Sequence, residues 1–432
     1  MLVYTLLLLF FILFIFLAKN NFVLALAIML ATLPSYLLRF HFGPLPTTLL
    51  EIMITTLFIV WITLHQENIL TWLKQAIKKY PSIFLASSIF LIAATISIFF
   101  NPQILKAGGE WRAFYLQPFL VFLIISHSLS TEKNVKKILL GLIIGGLATS
   151  LLAIYQHYTG WAVPYDFWEN RQTYRVTGWF GFPNAVGLYL APLVPLSFYL
   201  LLSGIARRRH GFDLVLIIIN LLFIPLAILA IVFAKTTGAL VALIAASILF
   251  LFLWRPTRWP TLLVCLLAGL VFFFSPVTEK KQEMLLQDFS GQLRLEMWGE
   301  TLEYLNHHPW RGTGLANYSQ EIAPYRINKN IEIFHHPHNL FLTIWVNTGL
   351  MGVIGFVWLL IAALRAGLAT FISWEKEKIL PMCALSALTI ILVTGLVDSP
   401  YIKNDLAIIF WLIISLLTSP TLWSTPFGKQ KN

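Results

Sequence analysis

A histidine at the mouth of an apolar run can exchange protons near neutral pH and meet a hydroxyl group arriving from water. His338, followed by Asn339, has that position. Nine residues separate Asn339 from Gly349, and Gly352 and Gly355 recur at three-residue intervals, a spacing that lets a second helix approach closely. The other use of His338 is as an interfacial imidazole bonded to a neighbouring carbonyl. Three cations in separate segments, Arg175, Lys235 and Arg294, could hold an anionic group or simply meet lipid headgroups. Asp398, in the polar stretch 397–405, could fix the tautomer of His338 or form a solvated turn with Lys403. Asn184 and Asn339 are hydrogen-bonding candidates or helix caps.

His335, His336 and His338, with His307 and His308 upstream, raise the question of a metal. Pro337 interrupts the cluster and the spacing His-x3-His is missing, so the ligand set is unconvincing and no metal is expected. No Gly-rich phosphate loop ending in Lys occurs, which argues against ATP-driven transport. The formal charge of +11 is dispersed between apolar runs rather than gathered on one face, which argues against nucleic-acid binding.

The elements that must position these residues are membrane spans. Of 432 residues, 58% are apolar and 11% charged, with a mean hydropathy of +0.78. A chain so poor in charge could not cover its own surface in water. Cys265 and Cys383 both sit in apolar runs, so no disulfide framework is available. Apolar segments long enough to cross a bilayer occur at 2–18, 22–38, 47–64, 82–100, 113–129, 138–156, 184–203, 213–234, 238–254, 260–276, 338–366, 379–397 and 405–422. The expected fold is an all-α polytopic membrane protein of about 12–13 transmembrane helices. Residues 1–432 form a single membrane domain, and the N-terminal run, which lacks a basic start and a small-residue cleavage site, is read as a retained span. One alternating set of loops is rich in cations, such as Lys74, Lys78, Lys79, Lys133, Lys137, Arg208 and Arg209, and is therefore cytoplasmic. The opposite loops are external, and 277–337 is by far the longest of them. It contains a predicted helix capped by Ser290, with Leu295, Trp298, Leu302 and Leu305 at helical spacing.

His338-Asn339-x9-Gly349-x2-Gly352 resembles the signature of the O-antigen ligase family, which shares its core with Wzy-type O-antigen polymerases. Arg175-Val176-Thr177-Gly178-Trp179-Phe180-Gly181-Phe182-Pro183-Asn184 is similar to another stretch of that family. So are Arg294-Leu295-Glu296-Met297-Trp298 and Pro309-Trp310-Arg311-Gly312-Thr313-Gly314 at its large external loop. Lys235 stands where the family usually has arginine; it keeps the charge but loses the fork that suits phosphate oxygens. The resemblance covers about residues 140–420 and implies a GT-C-like glycosyltransferase architecture. It implies an inverting, metal-independent transfer of a preassembled glycan from undecaprenyl diphosphate to a glycan, lipid or protein acceptor outside a bacterial cytoplasmic (inner) membrane, with no cofactor. His338 would be the base and Arg294 a diphosphate ligand, with Lys235 and Arg175 assisting and Asn339, Asn184 and Asp398 in support. Such chemistry needs charge stabilisation on the departing oxygens and a base on the attacking one. A polysaccharide polymerase or a protein O-oligosaccharyltransferase would share it. A transporter of small anions or lipid-linked sugars is the reading from another class, but its paired interrupted helices are not evident.

With the cation-rich loops inside, cysteines introduced at Ser290 or Thr313 should react with an impermeant thiol reagent in intact cells. Labelling of Arg208→Cys instead would invert the topology.

Overall fold

The computed structural model describes residues 2–42, 45–164, 174–207, 211–329, 334–373 and 378–418. Arg208 and Arg209 lie outside the described residues. Helices α1 (Leu2–Asn20) and α2 (Phe22–Ala31) lead into an antiparallel hairpin, β1 (Arg39–Phe42) with β2 (Leu45–Thr48). There follow α3 (Leu49–His65), α4 (Ile69–Lys79), α5 (Pro81–Ser97), α6 (Ile104–Trp111), α7 (Gln117–Ser128) and α8 (Glu132–Thr159). The next group is α9 (Pro183–Leu190), α10 (Leu193–Arg207), α11 (Gly211–Phe233), α12 (Thr237–Leu253) and α13 (Arg258–Phe274). The long loop carries α14 (Glu279–Met284), α15 (Phe289–His307) and α16 (Tyr318–Ile322), and α17 (Leu340–Ser373), α18 (Ile379–Thr394) and α19 (Asn404–Thr418) complete the bundle.

The fold is that of an all-α polytopic membrane protein. Six described helices are long and apolar enough to cross a membrane, or seven if α3 and α4, bent by 104° at their junction, make one span. Five further apolar helices run 10–17 residues. The apolar segments are where the sequence puts them, and most of those beyond these six or seven form shorter apolar helices. A hydropathy window averages over a break: the run 22–38 is helical only to Ala31, and a 3-10 turn over Leu33–Leu37 follows. In α18, 16 residues rise about 24 Å, less than a hydrocarbon core.

Burial sorts the helices. In α19 every residue from Asp405 to Thr418 is buried, so this helix is the axis of the bundle. In the apolar window of Arg255–Phe274 only 6% is buried, with Phe273 and Phe274 exposed, an exterior that suits lipid and not water.

Helix α17 brings His338 to its place. Gly355 packs on α5, where an added Cβ would stand 2.8 Å from the Phe90 amide nitrogen, the close approach read from the glycine spacing. Gly349 does something else. Its φ of 66° and ψ of −175° break the helix, and a Cβ there would collide with the Trp310 carbonyl. The break frees the Val346 carbonyl and the Leu350 amide, which would otherwise pair with each other. The turn at Pro309–Gly314 satisfies both: Thr313 N donates to Val346 O at 2.7 Å and Leu350 N to Pro309 O at 3.0 Å. Thr313 is consequently 2% exposed, which leaves exposed Ser290 as the usable labelling site.

In α15 the cap is Asp288, which accepts from the Ser290 and Gly291 amides, and not Ser290. The buried face is Met297, Thr301, Tyr304 and Leu305, whereas Leu295 and Leu302 are exposed. Polar groups join this face because partners satisfy them: Thr301 Oγ1 lies 2.9 Å from Tyr318 OH, and Glu300 accepts from the Ile327 amide at 2.8 Å.

Gly349→Ala should destabilise the purified protein by more than about 1 kcal/mol, through a positive φ plus a collision, and expose the 309–314 turn to protease. Gly269→Ala, where nothing lies within 4 Å, should leave the melting temperature unchanged or higher.

Candidate functional site

The site is assembled around Asp398, in the turn between α18 and α19. Its residue is 7% exposed, so the solvated-turn reading does not hold. Oδ1 accepts from the Ser399 amide at 2.8 Å and faces His338 Nδ1 at 3.1 Å. Oδ2 accepts from Asn184 Nδ2 at 3.0 Å. Asn184, in the first turn of α9 after Pro183, presents its other amide atom to Arg175, whose Nη2 donates to Oδ1 at 2.8 Å. Arg175 also donates from Nε to Ala234 O at 2.8 Å and from Nη2 to Lys235 O at 3.3 Å. A continuous polar chain therefore runs from the α11–α12 turn through Arg175, Asn184 and Asp398 to His338.

His338 is held from both sides. Trp298 Nε1 on α15 donates to Pro337 O at 2.9 Å, and the Leu340 amide donates to Gly395 O at 2.7 Å. Asn339 is the helix cap: its Oδ1 accepts from the Phe341 and Leu342 amides at 3.1 Å, and its Nδ2 donates to Leu396 O at 3.0 Å. These contacts hold His338 at a φ of 49°, a left-handed conformation rare for a residue with a side chain. With Nδ1 donating to the carboxylate, Nε2 is the nitrogen left to accept a proton.

Burial works against ionisation of Asp398, but the His338 charge and hydrogen bond, then His336 and the Ser399 amide, outweigh it and hold the carboxyl well below the usual range. Burial lowers the pKa of Arg175 to about 10, Arg294 adding to the effect while Glu283 and Asp398 oppose it, so Arg175 stays cationic at neutral pH.

Lys235 is exposed and also left-handed, at a φ of 49°. Its ammonium makes no hydrogen bond or ion pair among the described residues, while its carbonyl is pinned by Arg175. Arg294, on α15, donates from Nη1 to Ser290 O at 3.4 Å, and its buried Nε has no hydrogen-bond partner among the described residues. Lys280 on α14 bonds Glu283 at 2.7 Å and Thr237 Oγ1 at 3.3 Å, tying the long loop to α12 beside Lys235. The site residues read from the sequence thus gather, Asn339 as a cap.

One participant, Gln156, was missed, and two others, Lys403 and His336, take places that the sequence did not give them. Gln156 in α8 is fully buried; its Oε1 accepts from the Thr177 and Gly178 amides at 3.1 and 2.8 Å, and its Nε2 donates to Gly178 O at 3.1 Å, clamping the strand that carries Arg175. A lone glutamine in an apolar span was the available signal. Lys403 lies 3.9 Å from the Phe180 ring centroid; burial lowers its pKa while Asp405 and Asp398 oppose this. His336 packs edge-on against His338 with centroids 4.6 Å apart; burial, then His338 and His335, lower its pKa to about 3 while Asp398 opposes them. One ligand atom each from His336, His338 and Asp398 lie within 4.8 Å of one another, so these three could hold a metal ion, whereas His307, His308 and His335 are outside the group.

An imidazole oriented by a buried carboxylate, beside cations at one end of an apolar bundle, is an arrangement able to exchange a proton next to an anionic group. Residues 221–357, which carry Lys235, Arg294 and His338, match the family described as O-antigen ligase. Over this segment, less than half of its length, the chain is similar to that family. No curated protein matches the chain.

Because the native pKa of Asp398 is depressed, its stabilisation is present above the unfolded value of about 3.9 and is lost as pH falls through the lower native value. Wild type should therefore melt higher than Asp398→Asn at pH 7, and the gap should narrow below about pH 4. A gap independent of pH would show that the His338–Asp398 pair contributes nothing.

Proposed function

We propose that the chain transfers a preassembled glycan from undecaprenyl diphosphate to an acceptor hydroxyl at the external face of a bacterial inner membrane. The observation that carries this reading is His338 Nδ1 at 3.1 Å from Asp398, within a chain of hydrogen bonds that reaches the Lys235 turn. The acceptor oxygen attacks the anomeric carbon as its proton passes to His338 Nε2, and the bond from that carbon to the diphosphate oxygen breaks. One displacement inverts the anomeric centre. The resulting imidazolium is stabilised by Asp398, whose role is to orient and not to take the proton.

The departing diphosphate gathers charge, and Lys235 and Arg294 are the cations with donors to offer it. Arg175 fastens the turn that presents Lys235 and contributes its own charge behind it. Lys235 serves as a point charge where arginine would grip two oxygens. The likeness of residues 221–357 to the O-antigen ligase family supports glycosyl transfer in the membrane. The acceptor, whether lipid, growing polymer or protein, would be chosen by surfaces outside this charge network.

Removing a base affects the transition state, not ground-state affinity. His338→Ala should lower the transfer rate of purified protein by about 10²- to 10⁴-fold while binding of the lipid-linked donor is retained. Arg294→Ala should weaken donor binding as well as rate. Transfer by His338→Ala at the wild-type rate would remove the base assignment.

The Lys235 assignment has its own check. Lys235→Arg should keep or raise activity and Lys235→Ala should lose most of it. Full activity in the alanine variant would reduce Lys235 to a surface cation.

A further inference from the structure

Two imidazoles and a carboxylate converge where the sequence showed only a broken histidine cluster. His336, His338 and Asp398 each offer a ligand atom, all within 4.8 Å of one another. In a tetrahedral zinc site, bonds of about 2.0–2.2 Å place neighbouring ligand atoms about 3.3–3.5 Å apart. His338 Nδ1 and Asp398 Oδ1, at 3.1 Å, already stand near that separation. His336, whose Nδ1 accepts from the His338 amide at 3.4 Å, offers a ligand atom within 4.8 Å of both and is the one that must close in. The left-handed turn at His338 is what makes this convergence compatible with Pro337 between the two histidines, since it stacks the rings edge to face at 4.6 Å.

The surroundings resemble those that orient metal ligands. Asn184 holds the second oxygen of Asp398 and the Ser399 amide donates to the first, so the carboxylate is fixed from behind. Two nitrogens and one oxygen suit a borderline divalent ion such as zinc better than calcium or magnesium, which prefer oxygen alone. Three protein ligands leave a fourth position for water.

We propose that His336, His338 and Asp398 form a zinc-binding site that switches off the base. The inhibition rests on the reading of His338 as the base; the metal site does not. A metal on Nδ1 displaces the hydrogen bond to Asp398 and keeps the proton on Nε2, so that nitrogen has no lone pair for the acceptor hydroxyl. A metal on Nε2 takes the lone pair itself. Either way the proton has nowhere to go.

The test uses full-length protein in detergent, titrated with Co²⁺ as a spectroscopic probe and then with Zn²⁺. Wild type should show the visible absorption of four-coordinate Co²⁺, bleached by Zn²⁺. His336→Ala should weaken Co²⁺ binding by about tenfold or more, and His335→Ala should not. Zn²⁺ should inhibit transfer, with the midpoint for His336→Ala, normalised to its own zinc-free rate, displaced upward by about the same factor. Absence of the cobalt band, or equal affinity in His336→Ala, overturns the site. Stimulation of transfer by Zn²⁺ overturns its inhibitory role. A cobalt band lost in His338→Ala, together with transfer undiminished by saturating Zn²⁺, leaves the metal site standing and overturns the base assignment with the inhibition built on it.

Discussion

A carboxylate withdrawn from water must be met by charge or hydrogen bonds, or it gives up its own charge. Asp398 is met by the His338 ring nitrogen, the Ser399 amide and the Asn184 side chain, and stays ionised. The rest of the site follows from satisfying it. Asn184 is an amide with a donor and an acceptor, so giving its donor to Asp398 turns its acceptor toward Arg175. Arg175 in turn reaches the carbonyls of Ala234 and Lys235. One buried charge thereby ties the starts of α9 and α17 and two turns into a rigid unit.

The same unit explains where the backbone is strained. His338 and Lys235 both have a φ of 49°, a conformation that costs side-chain-bearing residues of order 1–3 kcal/mol. It persists because neighbours over-determine it: the Asn339 cap and the Trp298 clamp on one side, the Arg175 fork on the other. Gly349 follows similar logic lower in α17, where the broken pair of backbone groups is returned to the Pro309–Gly314 turn. The long loop is thus keyed into the bundle at two places, beside His338 and at the helix break. Arg294, carried on that loop, comes close enough to act on the charge of Arg175.

Much of this was legible in the residues. Apolar runs announced the membrane, because lipid accepts a surface such as α13 that water would not. The histidine at a helix mouth and the separate cations announced charge and proton chemistry. Less legible was anything that depended on a break or a partner. Window hydropathy read continuous spans at 22–38 and 338–366, where the helix ends at Ala31 and breaks at Gly349. The stripe of Leu295 and Leu302 pointed away from the buried face, because Thr301 and Glu300 find hydrogen bonds there that periodicity cannot register. Gln156 looked ordinary until the segment it clamps came beside it, and the histidine cluster gave no sign that His336 would meet Asp398.

The sequence by itself determined the solvent, the helical class, and the residue types present at the site. Those properties are local, since hydropathy and capping are written within a turn or two of the chain. The tertiary structure alone decided which polar atoms face one another. His338 and Asp398 are 60 residues apart, and Asn184 and Asp398 are 214 apart. A local pattern records only which side of a helix is apolar, and leaves no mark of a partner so distant. The tautomer of His338, the ionised state of Asp398 and the gathering of His336 with both follow from those contacts, because burial and proximity set the charge on each group.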